Sequence, residues 1–326
     1  HHVVCMTLHH IISDGWSNEI LFRELNEAYV SYQEGKEPNL PSLEIQYADY
    51  AIWQREWLKG ERLEAQLSYW KETLLGAPES IDLPTDYERP KELTYRGGVY
   101  TTEIDGETLK ALKELGESEG ATLFMTLLAA INVVLYKHSG QKDLVIGSPI
   151  ANRNHHEIEG LIGFFVNTLA LRTEINPEES FRALLRRVKE RTLEAYEHQD
   201  VPFEQVVDHL EIPRQLNRNP VFQVLFDLHN QPNASLPYNK LSAEHILFDH
   251  HIAKLDLSIF AYESSDTLYL TFEYLKDIYR EANIFKMIDH LKALMKAIIQ
   301  EPDKETGGYE ILEAEEKERL LVEWNE

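Results

Sequence analysis

The heptapeptide HHIISDG, residues 9–15, stands between two segments with different hydrophobic patterns. Before it, residues 3–8 (VVCMTL) form a short apolar run that is typical of a buried strand. After it, residues 16–35 carry apolar side chains at helical spacing and end at a glycine, which predicts an amphipathic helix. We therefore expect the order strand, polar turn, helix at the start of the chain.

The polar residues of this turn have side chains that suit a reaction centre. In an extended chain successive side chains point to opposite faces, so that one of His9 and His10 is expected to face the core and the other a cleft. Histidine suits proton transfer because its ordinary pKa lies close to neutrality. Asp14 can accept backbone N–H groups at the helix start or pair with a cation, and Gly15 permits a tight turn. The spacing suggests no closed set of ligands, and we expect no metal.

The composition limits the compartment and the partners. The chain has 326 residues, enough for two lobes, and a formal net charge of −24. Such an acidic balance disfavours nucleic acid or an anionic membrane as the main partner. With Cys5 as the single cysteine, neither an intrachain disulfide nor a cysteine-based metal cluster is possible, which fits the reducing cytoplasm. Cys5 lies in an apolar run and is expected to be a buried small side chain.

Helices and strands alternate along the rest of the chain, which predicts a mixed α/β fold. Residues 77–98 carry three prolines and predict a linker. The predicted strands are residues 98–104, 143–150, 163–175 and 221–231, and two alternating runs around a polar turn predict a hairpin over 254–274. The further predicted helices are residues 47–76 apart from Gly60, 106–120, 121–140, 180–199 and 280–302. The longest apolar stretch, 123–136, is shorter than the ~20 residues of a membrane span and predicts a core helix.

HHIISDG resembles the HHxxxDG motif of the condensation domains of nonribosomal peptide synthetases, which are relatives of chloramphenicol acetyltransferase. Five further segments match motifs of that family, in the family's order. They are YADYAIWQ (47–54), GSPIANR (147–153), IGFFVNTLALR (162–172), HQDVPFE (198–204) and RNPVFQVLF (218–226). Because the matches are ordered and spread over most of the chain, the resemblance is very specific.

The resemblance implies a chloramphenicol acetyltransferase-like α/β fold with mixed sheets and a tunnel between two lobes. Two substrates would enter the tunnel as thioesters on the phosphopantetheine arms of an upstream and a downstream peptidyl carrier domain. The amine of the acceptor aminoacyl group would attack the donor thioester carbonyl and form an amide bond. The resemblance further implies that the domain itself binds no cofactor and that an adenylation domain is its neighbour.

The resemblance also assigns roles to the residues of HHIISDG. His10 would face the tunnel, where it would deprotonate the amine, position it or stabilise the tetrahedral intermediate, and these roles stay open. His9 would point away and be structural. The backbone N–H of Gly15 would lie where it can approach the intermediate.

Supporting residues follow from the later motifs. Asp14 would hold the loop in an ion pair with Arg153, and loss of one of these desolvated charges should strongly destabilise the site. Asn167 and Gln199 would support the cleft. From the residues alone, Asn167 at a strand end and Gln199 at a helix end are also typical of ordinary hydrogen-bonding positions.

Three parts are predicted. They are residues 1–97, the C-terminal part of the first lobe with HHxxxDG, residues 98–308, the second lobe, and residues 309–326, the start of a linker to an adenylation domain. In the family, SxAQxRLW-like and RHxxLR-like blocks precede HHxxxDG, and neither stands before residue 9. We therefore expect most of the first lobe to be missing and this fragment alone to be inactive.

Sequence motifs also distinguish peptide-bond formation from the other functions of the same fold. Heterocyclisation domains carry a DxxxxD pattern, which HHIISDG contradicts. Epimerisation domains are not usually followed by an adenylation linker, so an epimerisation-type relative is a weaker alternative. A non-catalytic module that binds carrier-borne substrates is the alternative from another class, and the intact His10, Asp14 and Gly15 count against it.

Overall fold

A six-stranded mixed β-sheet forms the centre of the computed structural model, which describes residues 3–212, 215–229, 251–312 and 317–318. The strands are β1 Gly97–Ile104, β2 Asp143–Ile150, β3 Asn167–Glu174, β4 Val224–His229, β5 Leu257–Ser264 and β6 Thr267–Leu275. Their order across the sheet is β1-β6-β5-β4-β2-β3. β4 runs parallel to β2 and β5, and the other neighbouring strands are antiparallel.

Four helices cover one face of this sheet. The α-helices of the described residues are α1 Gly15–Gln33, α2 Tyr47–Trp57, α3 Glu61–Leu74, α4 Gly106–Ser118, α5 Leu123–Ser139, α6 His156–Glu159, α7 Phe181–Glu197, α8 Phe203–His209 and α9 Glu281–Gln300. α5 contacts α4, α7 and α9, and the group packs on the sheet through β3, β4 and β6. On β6, buried Leu268, Leu270, Phe272 and Tyr274 alternate with half-buried residues, as expected for a sheet with one covered face.

The core helix predicted from the longest apolar stretch is confirmed as α5. Thr122 caps its start by accepting the N–H of Met125, and Gly140, at a φ of +72°, ends it in the left-handed conformation. Every side chain from Met125 to Leu135 is buried. Among the helices that the structure describes, none is by itself long and apolar enough to span a membrane, although α4 and α5, bent by 102°, meet that requirement as a pair.

The helices before β1 meet the rest of the chain near the start of β3. α3 packs on α8, which packs on β3. A small separate core of Tyr50, Ile158, Leu161 and Phe165 joins α2 to the segment between β2 and β3. This junction brings residues of HHIISDG beside the segment that carries GSPIANR and IGFFVN.

Residues 3–8 are not a strand, contrary to the sequence prediction. Val3 and Val4 are 76% and 78% exposed, and Cys5 is exposed rather than buried. An apolar run forms a strand only where a neighbour accepts its backbone hydrogen bonds. None of the strands in the described ranges pairs with residues 3–8, which explains why the hydrophobic pattern misled the prediction.

Most other predicted elements are confirmed. β5 and β6 form the predicted hairpin, and α1–α5, α7 and α9 occupy the predicted helical segments. The predicted strand over 163–175 begins only at Asn167, because the residues before it form a loop. Most of the predicted linker, 309–326, lies outside the described residues, and the division of the chain at residue 97 stays a prediction.

Candidate functional site

His10 presents an exposed imidazole at the start of a short 3₁₀-helix, His10–Ile12. Its Nδ1 lies 2.7 Å from the carbonyl oxygen of Ser13. Because a carbonyl can only accept a hydrogen bond, Nδ1 carries the proton of the neutral ring and Nε2 presents a lone pair. The ring of Phe164 meets the imidazole edge-on, with 5.0 Å between the ring centroids. These two contacts hold the imidazole in one tautomer and one orientation.

The expectation that one of the two histidines faces the core is wrong. The side chains of His9 and His10 are both exposed. The alternation of side chains does not apply here, because the chain leaves the extended conformation for a 3₁₀ turn at His10. His9 Nδ1 accepts the N–H of Ile11 at 3.2 Å and caps this turn, which is a local structural contact.

Asp14 is the N-cap of α1 and the buried anchor of the loop. Its carboxylate accepts the backbone N–H groups of Ser17 at 2.8 Å and Phe165 at 2.9 Å. Arg153 Nη2 lies 3.3 Å from Asp14 Oδ1, with side chains only 1% and 3% exposed, which confirms the predicted ion pair. Burial raises the pKa of Asp14, but hydrogen bonds from Ser17 and Phe165 and the charge of Arg153 outweigh burial and hold that pKa below its ordinary value.

Arg153 connects this anchor to the segment between β2 and β3. Its guanidinium donates to the carbonyls of Ile158 at 2.6 Å and Leu161 at 2.8 Å, and to Ser17 Oγ at 2.8 Å. It also lies over the ring of Phe165, 4.0 Å from the centroid. Burial lowers the pKa of Arg153, but the ordinary pKa of a guanidinium lies so far above neutrality that the group stays charged at neutral pH.

Two further residues of this site are not singled out by the sequence. Ser17 is fully buried and hydrogen-bonded to Gly163, and the Tyr47 hydroxyl donates to the carbonyl of Phe164 at 2.8 Å. Tyr47 opens the YADYAIWQ segment, so a signal for it existed. Ser17 lies three residues after an N-cap aspartate, where serine is ordinary, and the sequence offers no signal for its role.

Gly15 is the first residue of α1. It is not among the residues with positive φ, so the turn itself does not require glycine. Apart from its chain neighbours and the backbone of α1 itself, no atom in the described part of the chain lies within 4 Å of the place where a Cβ of residue 15 would stand. The glycine therefore leaves open space next to the HHIISDG loop instead of relieving strain.

Asn167 and Gln199 belong to a second hydrogen-bonded cluster. Asn167 Nδ2 donates to the carbonyls of Gln199 and Val201, both at 2.8 Å. The Gln199 side chain donates to the carbonyl of Tyr196 at 2.7 Å, at the end of α7. Among the described residues, none of the hydrogen bonds of these two side chains reaches His10. Their contacts fix the turn between α7 and α8 against the start of β3, so that any support of the cleft is indirect.

The condensation domain family model matches residues 1–321. Malpibaldin synthetase of Mortierella alpina is 43% identical over an alignment of 327 positions, which covers 100% of this chain but only 6% of that protein. The X-domain in its complex with OxyB from teicoplanin biosynthesis has a TM-score of 0.84 and 29% identity, over 94% of this chain and 69% of that chain. The four-domain nonribosomal peptide synthetase holo-AB3403, bound to AMP and glycine, shares the fold with a TM-score of 0.85 at 22% identity, over 94% of this chain and 24% of that chain.

These similarities confirm the predicted chloramphenicol acetyltransferase-like α/β fold, with its mixed sheet. The family match contains HHIISDG and the five later segments in a single alignment. The chain belongs to the condensation domain family of nonribosomal peptide synthetases.

Proposed function

We propose that this chain carries the amide-forming site of a nonribosomal peptide synthetase. The observation that carries the proposal is the held imidazole of His10, whose Nδ1–H binds the Ser13 carbonyl at 2.7 Å and whose Nε2 is presented as an acceptor. An attacking amine has an N–H to donate and needs an acceptor of this kind within hydrogen-bond distance. The buried pair of Asp14 and Arg153 holds the loop that presents it.

In the proposed reaction, the neutral amine of the acceptor aminoacyl thioester attacks the carbonyl carbon of the donor thioester. A C–N bond forms and the carbonyl oxygen becomes an oxyanion, while an amine proton passes to Nε2 of His10. The oxyanion then re-forms the carbonyl, the C–S bond breaks, and the leaving thiolate takes the proton from the imidazolium. The products are an amide on the acceptor carrier and a free thiol on the donor carrier.

Gly15 is proposed to face the developing oxyanion. As the first residue of α1, it has a backbone N–H without a partner inside the helix. The N-terminus of a helix favours negative charge, so this N–H is suited to an oxyanion. The open space beside Gly15 supports the same assignment, because any larger residue would fill it.

The partners are proposed from the family. An upstream and a downstream peptidyl carrier domain would deliver donor and acceptor on phosphopantetheine arms, with an adenylation domain adjacent, all in the cytoplasm. No cofactor of the domain itself takes part in the proposed reaction. His10 and the apolar side chains of Val3, Val4 and Ile11 are exposed, which supports the expectation that this chain alone does not enclose the reaction and is inactive.

The test uses the protein that carries this chain together with its carrier domains, loaded with a donor and an acceptor aminoacyl group. Mass spectrometry of the acceptor carrier measures amide formation. We expect His10→Ala to lower the rate by a factor on the order of 100 or more, and His156→Ala, at a histidine whose side chain is 94% exposed, to leave it unchanged. Amide formation at an undiminished rate in His10→Ala would contradict a catalytic role for His10.

A second candidate function is a non-catalytic module that binds another protein. The X-domain, which shares this fold, occurs in a complex with OxyB, so a domain of this architecture can serve as a binding partner. The intact HHIISDG favours the catalytic proposal. The same measurement separates the two, because a binding module alone would make no amide in the unaltered protein.

A further inference from the structure

Three consecutive residues before β3 are each held by a side chain from the part of the chain before residue 50. The Ser17 hydroxyl donates to the carbonyl of Gly163 at 2.8 Å and accepts its N–H at 3.1 Å. The Tyr47 hydroxyl donates to the carbonyl of Phe164 at 2.8 Å. Asp14 accepts the N–H of the next residue, Phe165. We name Gly163–Phe165 the clamped loop.

Ser17 is the uncharged residue whose hydroxyl group joins these contacts to Arg153. Its hydroxyl donates once, to Gly163, and accepts twice, from Gly163 and from Arg153 Nη2 at 2.8 Å, which is the full capacity of a hydroxyl group. The residue is fully buried, so no water replaces a lost contact without entering the site. Ser17 therefore connects the charged anchor to the clamped loop.

The clamped loop reaches His10 through one side chain. Phe164 is 38% exposed although its backbone is fixed, and its ring meets the His10 imidazole at an interplanar angle of 86°. The loop has little freedom to shift, because even a Cβ at Gly163 would overlap the Tyr47 ring. The backbone contacts of Phe164 and its two neighbours thus fix the point from which its ring reaches the His10 imidazole.

We propose that Ser17 is a positioning residue that orients the His10 imidazole through Gly163 and Phe164. The expected effect on rate rests on the proposed function, whereas the expected effect on His10 itself does not. Without the Ser17 hydroxyl, the N–H and the carbonyl of Gly163 lose their partner and the clamped loop shifts. The Phe164 ring moves with the loop, and the imidazole gains freedom to turn Nε2 away from the substrate.

A double-mutant cycle tests the route of this effect in the protein that carries the chain with its loaded carriers. The variants are Ser17→Ala, Phe164→Ala and the double variant, with Ser17→Thr to restore the hydroxyl. Ser31→Ala is the matched control, because Ser31 is a buried serine of the same helix whose hydroxyl binds only Glu27 in the described structure. We expect Ser17→Ala to lower kcat by about tenfold with KM unchanged, Ser17→Thr to recover most of it, and Ser31→Ala to leave both unchanged.

The variants of the double-mutant cycle are also compared in a second assay that uses no substrates. Diethyl pyrocarbonate acylates unprotonated imidazole nitrogen, and peptide mass spectrometry follows the rate at His10. We expect Ser17→Ala and Phe164→Ala each to raise this rate by about threefold, with no further rise in the double variant, because both act through the same ring contact.

The two proposals fail in distinguishable ways. If the unaltered protein makes no amide, the proposed function is wrong, and the acylation rates still decide the role of Ser17. If the effects of Ser17→Ala and Phe164→Ala multiply in the double variant, or if Ser17→Ala leaves the acylation of His10 unchanged, the positioning role is overturned. A tenfold loss of kcat in Ser31→Ala would equally overturn it, because general destabilisation of α1 would then explain the result.

Discussion

Replacing Arg153 by methionine is the sharpest test of the buried network. Methionine has a similar length but removes the charge and all donors. The guanidinium donates hydrogen bonds at 2.6, 2.8, 2.8 and 3.3 Å, to two backbone carbonyls, Ser17 and Asp14. The side chains of Arg153 and Asp14 are almost fully buried, so removal leaves the carboxylate in the interior without its counter-charge.

The size of the effect follows from what Asp14 retains. Breaking a buried ion pair by removing one partner costs about 3–5 kcal/mol, because an uncompensated charge stays buried. Asp14 keeps its two backbone N–H donors, from Ser17 and Phe165, which offset part of the loss. We therefore expect Arg153→Met to lower the free energy of unfolding by about 3 kcal/mol, the lower end of that range.

The assay is urea denaturation at neutral pH, followed by circular dichroism, on the unaltered protein, Arg153→Met, Asp14→Asn and the double variant. The neutral amide of the double variant no longer needs a counter-charge, so its loss should be smaller than the sum of the single losses by about 2 kcal/mol. Arg186→Met, which removes an exposed partner of Glu119, serves as the control. It should cause no measurable change in the free energy of unfolding. A loss below about 1 kcal/mol for Arg153→Met, or strict additivity in the double variant, would refute the reasoning.

Three further predictions concern the same region. Because the pKa of Asp14 is lowered in the folded chain, its contribution to stability is present above the unfolded pKa of about 3.9 and is lost as the pH falls through the lowered value. Urea denaturation at pH 6, 4 and 2 should therefore show that the free energies of unfolding of the unaltered protein and Asp14→Asn differ less as the pH falls. Gly163→Ala should cost about 1–3 kcal/mol, because its Cβ meets the Tyr47 ring, and a second change, Tyr47→Ala, should reduce that cost. Asn167→Ala should raise hydrogen exchange at the amides of Thr168 and Phe203, which bind its Oδ1, while exchange in β6 stays unchanged.

The sequence predicts the elements whose signal is local. α5 has its apolar residues, its N-cap and its closing glycine within one stretch, and the structure follows that stretch closely. Residues 3–8 have an equally clear strand pattern, but a strand depends on a neighbour that the pattern does not contain. Helix propensity and periodicity therefore predict the structure better than the hydrophobic pattern of a single strand does.

The residues of the site also divide into those that the sequence predicts and those that it does not. The pairing of Asp14 with Arg153, 139 positions apart, was predictable only because ordered motifs resemble a known family. The contacts of Ser17 and Tyr47 escaped prediction because both hydroxyls bind backbone groups of the clamped loop, and the contact of Phe164 because its ring meets the His10 imidazole. A backbone carbonyl is present at every position, so residue types and spacing give no indication of which one a hydroxyl will bind.

The contacts of His10 bear on its role in the proposed reaction. Its Nδ1–H is bound by the carbonyl of Ser13, and none of the hydrogen bonds of Asp14 in the described structure involves the imidazole. A carbonyl fixes the tautomer but does not supply the full negative charge with which a carboxylate stabilises an imidazolium. The arrangement therefore supports an imidazole that accepts a hydrogen bond from the amine, directs it, and passes the proton on to the leaving thiolate. We therefore expect orientation of the amine to contribute more to the rate than proton removal, with the buried pair of Asp14 and Arg153 holding the loop that presents the imidazole.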